Sequence, residues 1–577
     1  MIIPASIIPS DAVLTGDVAV VGGGPVGIAT ALELADRGLD VILIESGEEI
    51  HREPIQQLSD AAEWDSRVHA PMAMAVRRQV GGTSTIWGGR CVPYDRVDFD
   101  RRAVTNRVAW PVAYDDLEPY LQRACDWFVC GRAIFDATEA GCLPRSIVPQ
   151  LPAGEVSTAS LERWSLPTDF GREYRSRLRT QQNLRVLVGL TCTRIVCHDV
   201  DSRVSHLACQ TMQRKPVLVR ARRYVIACGG LESTRLLMSS SDQHGRAIGD
   251  HSGHLGRWYM GHVEGVIANV RFTTPARRTI YGYERDVDGV YVRRRFSFAD
   301  DFQRERGLSN IVAWLANPEL ADARHRSGPL SLAYLALASP LGPRLAPDAQ
   351  RLSLTGTKVP GSPYGGSVRS RPSQHLANIA REPLRTLSFA SSIGPGRFLP
   401  RHRRVPGFFV YNRENLYPFQ YHGEHVPKRD SRVTLSESCD ALGMPRLKID
   451  LRFGADDVDN VVRAHQAWDD FLQRSGRGRL EYLHPDPAEA VWSRVGGGFH
   501  QVGTTRMSDR PDEGVVDRDL AVHGFPDLHI ASSSVFVTSS QANSTFMTVV
   551  IALRLVDHLE RELRRSDGSF SDPPPTS

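Results

Sequence analysis

Residues 17–45 constrain the fold more than any other part of this 577-residue chain. A short β-branched run, residues 17–21, stops at three consecutive glycines, and an Ala- and Leu-rich helical pattern follows over residues 25–38. A second apolar strand covers residues 41–44 and is followed by Glu45. Strand, glycine turn, helix and strand in this order predict a βαβ unit, and therefore a parallel sheet.

The glycines of this unit have the spacing of a dinucleotide-binding turn. Gly22, Gly24 and Gly27 form G-x-G-x-x-G between the strand and the helix. Gly22 permits a tight turn, Gly24 lets the backbone approach a pyrophosphate, and Gly27 lets the helix pack closely on the strand. Glu45, at the end of the second strand, can accept hydrogen bonds from ribose hydroxyls. The pattern predicts a bound dinucleotide without specifying which one.

A second glycine-rich segment, QVGGTSTIWGGR, covers residues 79–90. Glycines carry no side chain that would clash, so this loop can lie along a pyrophosphate and a flat ring system. The alternative is an exposed loop, which seldom concentrates glycine and tryptophan in this way. The predicted cofactor contacts here are Gly81, Gly82, Thr83, Trp87 and Gly88.

A third segment near the C-terminus carries a candidate base. His500 lies in the glycine-rich stretch GGGFHQVGTTRM, and the ordinary histidine pKa near 6.5 suits proton transfer at neutral pH. QANST, residues 541–545, leads into a long apolar helix that Asn543 or Ser544 would cap, with its positive end free to face an anion. Taken alone, His500 is more often a structural histidine and Asn543 a helix cap.

The rest of the chain predicts further strands and a change of character after residue 255. Residues 184–188 and 193–196 read as a pair of strands, and residues 265–272 and 408–411 as strands of a different region. Residues 340–404 are rich in Pro, Gly, Ser and Arg, which predicts a solvated loop or lid.

Composition excludes several classes of protein. The formal charge of +4, from 70 basic and 66 acidic side chains, does not indicate a nucleic-acid partner. Nine scattered cysteines lack metal-ligand spacing, which predicts free thiols in a reducing cytoplasm and no metal site. No apolar run reaches the ~20 residues of a spanning helix, and the N-terminus lacks the features of a secretory signal. We therefore expect a cytoplasmic protein without a membrane span.

Taken together, these segments resemble the glucose–methanol–choline (GMC) flavin oxidoreductases over about residues 15–562. The matching pieces are VVGGGPVGIATALELADRG, GGTSTIWGG, ACGGLESTRLLMSS, SRVTLSE, HQVGTTRM and SSQANSTF. The resemblance implies an α/β protein, α+β overall, in which a Rossmann-type FAD-binding domain with a parallel sheet accompanies an antiparallel-sheet substrate domain. We place the FAD-binding domain at residues 1–255 and 495–565, the substrate domain at 256–494 and a disordered tail at 566–577.

The resemblance also implies roles for individual residues. His500 accepts the proton of a substrate hydroxyl while a hydride moves to the flavin, and Asn543 hydrogen-bonds the same oxygen. The backbone of Cys192 falls where the family meets adenine. Three further residues fall at flavin positions: Ser532, where the family often has Asp or Gly, Ser544, where it usually has Pro, and Thr545.

Within the family, the sequence GGTSTIWGG is most similar to the bacterial sugar and polyol enzymes and the pyranose oxidases. This resemblance favours a sugar, glycoside or polyol substrate. Pyranose oxidases attach FAD through a histidine where this chain has Ile86, so we predict non-covalent FAD. Oxygen, a quinone or a protein all stay open as electron acceptor, as does the oligomeric state. The alternatives are a flavin monooxygenase or amine oxidase with the same N-terminal fingerprint, and a flavin-binding protein without turnover.

Overall fold

The computed structural model describes residues 1–105, 107–142, 146–165, 169–198, 202–357, 370–398 and 403–566. Its largest element is a nine-stranded mixed sheet, here called the main sheet. Seven of its strands lie in the spatial order Ile2–Pro4, Leu184–Val188, Val41–Glu45, Ala12–Val21, Pro216–Ile226, Val204–Gln210 and Thr191–Cys197. Phe525–Ile530 pairs with Pro216–Ile226, and Ala521–Val522 pairs with Phe525–Ile530.

The predicted βαβ unit is confirmed. Ala12–Val21 and Val41–Glu45 pair in parallel and are joined by the helix Pro25–Asp36. All five residues of Val41–Glu45 are buried, as expected for a strand covered on both faces. The C-terminal helix, Ser544–Ser566, lies beside Pro25–Asp36, and Arg37 joins the two by ion pairs to Asp557 and Glu560.

The predicted pairing of residues 184–188 with 193–196 is wrong, although both segments are strands. Leu184–Val188 pairs in parallel with Val41–Glu45, while Thr191–Cys197 pairs with Val204–Gln210. The reason lies in the connection, where Leu190 N donates to Glu45 O and Gly189 N to Gly47 O. The backbone therefore bonds to the end of the neighbouring strand and does not close a hairpin.

Three further sheets complete the β-structure of the described residues. The six-stranded sheet is antiparallel throughout, and the four-stranded sheet is antiparallel as well. The six-stranded sheet has the order Gly478–Tyr482, His262–Phe272, Leu416–Glu424, Ile311–Leu315, Phe296–Phe298 and Val156–Ser157. The four-stranded sheet has the order Glu284–Arg285, Tyr291–Arg294, Leu161–Trp164 and Arg90–Cys91. The three-stranded sheet has the order Arg432–Cys439, Pro445–Asp450 and Glu63–Trp64.

The α-helices surround these sheets. Together with Pro25–Asp36 and Ser544–Ser566 they are Glu53–Asp60, Met72–Ala75, Tyr114–Leu117, Leu121–Trp127, Phe170–Glu173, Arg175–Thr180, Gly230–Met238, Asp300–Arg306, Gly328–Ala338, Gly342–Leu345, Asp348–Leu354, Pro372–Arg381, Pro383–Phe398, Ala455–Arg474 and Pro487–Trp492. This mixed α/β architecture, with a parallel core and separate antiparallel sheets, confirms the predicted fold class.

Two local predictions between residues 340 and 411 are wrong. The segment 340–404, predicted to be a solvated loop or lid, is mostly helical where the structure describes it, with four helices between Gly342 and Phe398. The predicted loop is therefore wrong, and the lid stays a prediction. Residues 408–411 were expected to form a strand but belong to no strand, because Val410 N donates to the side chain of Asn317 and not to a neighbouring strand.

The proposed division into domains follows the sheets only in part. The strands Arg90–Cys91, Val156–Ser157 and Leu161–Trp164 pair, directly or through one another, with strands from residues 291–298. The predicted tail falls outside the described residues after Ser566. Within the described part of the chain, no helix is both long and apolar enough to cross a membrane.

Candidate active site

Close backbone packing at two glycines shapes the turn after the first long strand. Gly22 has φ +110°, a left-handed conformation that favours glycine, and a Cβ there would lie 2.5 Å from Ala227 O. A Cβ on Gly27 would lie 1.8 Å from Gly22 O, so the helix can approach the strand only without a side chain at this position. The turn therefore directs the start of the helix Pro25–Asp36 into an adjacent cleft.

Glu45 lies beside this turn and is 6% exposed. Its two carboxylate oxygens accept hydrogen bonds from Gly23 N and Gly47 N, both at 2.6 Å. Burial raises the pKa of Glu45, and the two backbone N–H groups counteract this. Each oxygen retains a second lone pair, so the carboxylate can still accept a hydrogen bond from a hydroxyl group of a ligand in the cleft.

The cleft encloses about 1360 Å³ of space, part of it open to solvent. Its lining includes Glu45 and Cys192, Gly24 and Gly82, and Ser544. A Cβ on Gly24 would have a single neighbour within 4 Å, Gly82 Cα at 3.9 Å, so it would project into open space. Glycine at this position therefore leaves room that a side chain would fill.

The structure brings most of the predicted cofactor residues together around this cleft. The predicted cofactor residues that line the cleft are Gly22, Gly24, Glu45, Gly82, Thr83, Trp87, Cys192, Ser532, Ser544 and Thr545. Gly27, Gly81 and Gly88 do not line it. Gly81 has φ +98°, and its N–H donates to Gly23 O at 2.7 Å, which joins the loop 79–90 to the glycine turn. A Cβ on Gly88 would lie 2.8 Å from the side chain of Gln350.

His500 and Asn543 meet beside residues that line the cleft. Asn543 Nδ2 donates a hydrogen bond to His500 Nε2 at 2.9 Å. Phe499 and Gln501, on either side of His500, both line the cleft, as does Ser544, where the C-terminal helix begins. Asn543 therefore immediately precedes that helix, but its amide contacts the histidine, and its buried Oδ1 has no hydrogen-bond partner in the part of the chain that the structure describes.

The pKa of His500 differs from the value expected for an ordinary histidine. Burial, reinforced by the positive charge of Arg90, lowers the pKa of His500 from 6.5 to about 4. The imidazole is therefore neutral at neutral pH, as a base must be. The sequence prediction relied on the ordinary histidine pKa, which is close to neutrality. In the structure, His500 is neutral at pH 7 because burial and Arg90 lower its pKa.

Two further histidines, which sequence analysis missed, lie beside His500. His262 and His422 come from adjacent strands of the six-stranded sheet, and their ring centroids are 4.7 Å and 5.9 Å from that of His500. One ring nitrogen from each of the three histidines lies within 4.8 Å of the others. His262 and His422 are 4% and 3% exposed, and burial holds the pKa of both well below the usual range.

Arg90 supplies the positive charge of this site and was also missed as a site residue. It is the last residue of the glycine-rich loop, forms an ion pair with buried Glu162, and lies 5.0 Å from the ring centroid of Trp314. Its charge lowers the pKa of His262, His422 and His500. Only its position at the end of QVGGTSTIWGGR could have indicated such a role.

Comparison with known proteins places the chain in a family. The profile described as GMC oxidoreductase matches residues 172–263 with its N-terminal part and 427–552 with its C-terminal part, and the profile described as FAD dependent oxidoreductase matches residues 17–53. Similar proteins include 2-methyl-1,2-propanediol dehydrogenase from Mycolicibacterium austroafricanum, 20% identical over 94% of this chain and 95% of the relative. Paromamine 6'-oxidase from Streptomyces fradiae is 21% identical over 93% of this chain and 90% of the relative.

A solved structure shows the same fold. A variant of formate oxidase from Aspergillus oryzae superposes with a TM-score of 0.53 and 17% identity, covering 97% of this chain and all of the other. The glycine turn and its cleft, the two family profiles and the shared fold agree with one another. The chain belongs to the GMC family and is an FAD-dependent oxidoreductase.

Proposed function

We propose that this protein oxidises a CH–OH group of a small hydroxyl compound, such as a sugar, glycoside or polyol, to a carbonyl, with His500 as the base. The observation that carries the proposal is the hydrogen bond from Asn543 Nδ2 to His500 Nε2, formed next to residues that line the cleft. The names of the two relatives, one a diol dehydrogenase and one an oxidase of paromamine, support a hydroxylated substrate.

The cleft suits FAD by its shape and its polar groups. The open space beside Gly24, which a Cβ would fill, leaves the backbone free for a pyrophosphate at the start of the helix Pro25–Asp36. Glu45 and Cys192 would hold the adenosine end, and Ser544 and Thr545 would face the flavin from the start of the C-terminal helix. When bound, FAD supplies the acceptor for the hydride that leaves the substrate carbon.

The contribution of His500 and Asn543 follows from their hydrogen-bonding capacity. The side-chain amide nitrogen of asparagine only donates, so His500 Nε2 is the acceptor and holds a lone pair. A substrate hydroxyl that enters between the two side chains can donate its proton to Nε2 and accept from Asn543 Nδ2. As the O–H proton moves to Nε2, the oxygen gains negative charge, which the amide donor stabilises.

His500 suits the role of base better than its two neighbours. His262 and His422 each use Nδ1 to donate to a backbone carbonyl, and neither has a side-chain amide beside Nε2 that could hold the reacting oxygen. An amine substrate, which the amine oxidase alternative requires, is disfavoured because it carries a positive charge at neutral pH, as Arg90 does. That arginine already lowers the pKa of the nearest imidazoles.

The test is anaerobic flavin absorbance of the purified holoprotein, recorded against a panel of sugars, glycosides, polyols and simple alcohols. We expect one class of hydroxyl compound to bleach the oxidised-flavin bands. In His500→Asn the rate of bleaching should fall by about 10²–10⁴-fold, because the base is lost, while FAD remains bound.

The matched control is His484→Asn, the same substitution at a histidine with a 44% exposed side chain. It should reduce its flavin at the rate of the unmodified protein. Undiminished reduction in His500→Asn would refute the assignment of the base. Bound FAD that no alcohol reduces, together with rapid consumption of a reduced nicotinamide, would favour the monooxygenase alternative.

A further inference from the structure

We infer that His262 and His422 form a binding subsite that accepts hydrogen bonds from a second hydroxyl group, on the carbon next to the one that is oxidised. The substrate class would then be compounds with vicinal hydroxyls, and single alcohols would be poor substrates. This inference rests on the proposed function, because it takes His500 as the position of the reacting hydroxyl.

The backbone fixes the tautomers of the two histidines. His262 Nδ1 lies 3.1 Å from Ser540 O, and His422 Nδ1 lies 2.7 Å from Gln541 O. A carbonyl oxygen only accepts hydrogen bonds, so each Nδ1 carries the proton. In a neutral imidazole the other nitrogen then carries a lone pair, and both rings are held neutral by burial. Each Nε2 is therefore an acceptor.

The two carbonyls are themselves held in place by buried contacts. Ser540 Oγ donates to Asp98 Oδ2 at 2.6 Å. The side chain of Gln541 accepts from Arg295 Nη1 at 2.7 Å and donates to Asp95 Oδ2 at 2.9 Å. Since both residues are anchored by their side chains, their carbonyls cannot turn away easily, and the acceptor state of the two imidazoles is built into the fold.

His262 Nε2 is buried and has no hydrogen-bond partner among the described residues. The carboxylate nearest to His422 Nε2, that of Glu264, is a further acceptor and lies 4.0 Å away, beyond hydrogen-bond distance. Leaving a buried acceptor unpaired is unfavourable, so the arrangement favours a ligand that brings its own O–H donors.

Spacing and charge narrow the choice of ligand. One ring nitrogen of each histidine lies within 4.8 Å of one nitrogen of each of the other two, and a hydroxyl that donates to a nitrogen lies about 2.8 Å from it. This spacing accommodates one hydroxyl at His500 and a second one, on the neighbouring carbon, at His262 or His422. The positive charge of Arg90 acts on all three rings and opposes both a metal cation and an ammonium group, which leaves neutral hydroxyls.

The experiment is anaerobic stopped-flow reduction of the holoenzyme with matched probes, trans-cyclohexane-1,2-diol against cyclohexanol and propane-1,2-diol against propan-1-ol. Perturbation of the oxidised-flavin spectrum gives the dissociation constant separately from the limiting reduction rate. We expect the diol of at least one pair to bind about tenfold more tightly than its single alcohol, the scale of one added hydrogen bond.

Two substitutions at residue 422 test whether the acceptor is responsible. In His422→Asn the amide can still donate to Gln541 O, but the acceptor at the Nε2 position is lost. In His422→Gln an amide group can occupy that position. We expect His422→Asn to weaken diol binding about tenfold, to change single-alcohol binding less than about threefold, and His422→Gln to restore part of the loss. FAD content and thermal unfolding report folding, and His262→Asn is the second variant if His422→Asn does not fold.

The outcomes separate this inference from the proposed function. Flavin that no alcohol of the wider panel reduces in the unmodified protein would refute the proposed function, and the subsite with it. Reduction by alcohols with equal affinity for the diol and the single alcohol of each pair would overturn the subsite alone. Equal effects of His422→Asn on both kinds of probe, or stoichiometric zinc in the purified protein, would do the same.

Discussion

The low pKa of His500 predicts an unusual pH dependence of the reductive reaction. His500 can accept a proton only while it is neutral, and burial lowers the pKa to about 4 from the ordinary 6.5. At pH 6, about 99% of His500 is then neutral, against about 24% for an ordinary histidine. A lowered pKa extends the neutral form to lower pH, so activity is lost only as pH falls through about 4.

The assay is the limiting rate of flavin reduction at saturating substrate, measured by anaerobic stopped-flow in overlapping buffers from about pH 5 to pH 8. We expect a nearly flat profile, with a change of less than about 1.2-fold between pH 8 and pH 6. An unshifted histidine would produce about a fourfold loss over the same interval. Spectra of the bound flavin at each pH would show that FAD is retained.

A reduction rate that halves near pH 6.5 in the unmodified protein would refute the reasoning, because it would mean that burial does not act on His500 as the structure indicates. His500→Asn provides the control. Its residual rate should show no step that belongs to this histidine, so any step shared by the two proteins must arise from another group.

Three further predictions concern the cofactor and the stability of the fold. Gly27→Ala, whose Cβ would lie 1.8 Å from Gly22 O, should lower the ratio of flavin to protein absorbance after gel filtration; full FAD content would contradict the close packing. Because isoleucine at position 86 cannot bond to the flavin, acid precipitation should release all flavin into the supernatant, and flavin retained in the pellet would be contrary to this. Burial lowers the pKa of His465 to about 4, so the unfolded state binds more protons below pH 6.5, and this residue alone should reduce the free energy of unfolding by about 2 kcal/mol between pH 7 and pH 5. His465→Phe should lose that much less stability on acidification in denaturant titrations, and an unchanged loss would rule out this residue as the cause.

Sequence was sufficient where function depends on short local patterns. Gly22 and Gly27 lie five positions apart, and the βαβ unit that contains them follows from hydrophobic periodicity. The positions of His500 and Asn543 were predicted from two short motifs, and the structure joins these residues by a hydrogen bond. Their chemical roles stay a proposal.

Sequence was insufficient where a property depends on the packing of distant segments. His262 and His422 are far apart in the chain, and only the pairing of Glu264 with His422 across two strands brings them together. The spacing of residues along the sequence does not predict the register in which these two strands pair. The pKa of His500 was missed for a related reason, since it is set by burial and by Arg90, neither of which its own motif reveals.

Composition was misleading in the segment 340–404. Its prolines indicated a loop, but Pro372 and Pro383 each stand at the start of a helix. The first helical position needs no N–H donor and has a φ close to that of proline, so proline is favourable there. A count of prolines therefore cannot distinguish helix starts from loops, whereas their position relative to the following apolar pattern can.

The short loop from Ser540 to Asn543 determines the state of all three active-site histidines. The carbonyls of Ser540 and Gln541 fix the tautomers of His262 and His422, and the side chain of Asn543 donates to His500. Ser540 adopts φ +57°, which is uncommon outside glycine and is held by its bond to Asp98. The same loop continues directly into the C-terminal helix, whose first residues line the cleft. Under the proposed function, one anchored segment would therefore couple FAD binding to the acceptor state of the histidines, and a substitution that frees its backbone should impair both together.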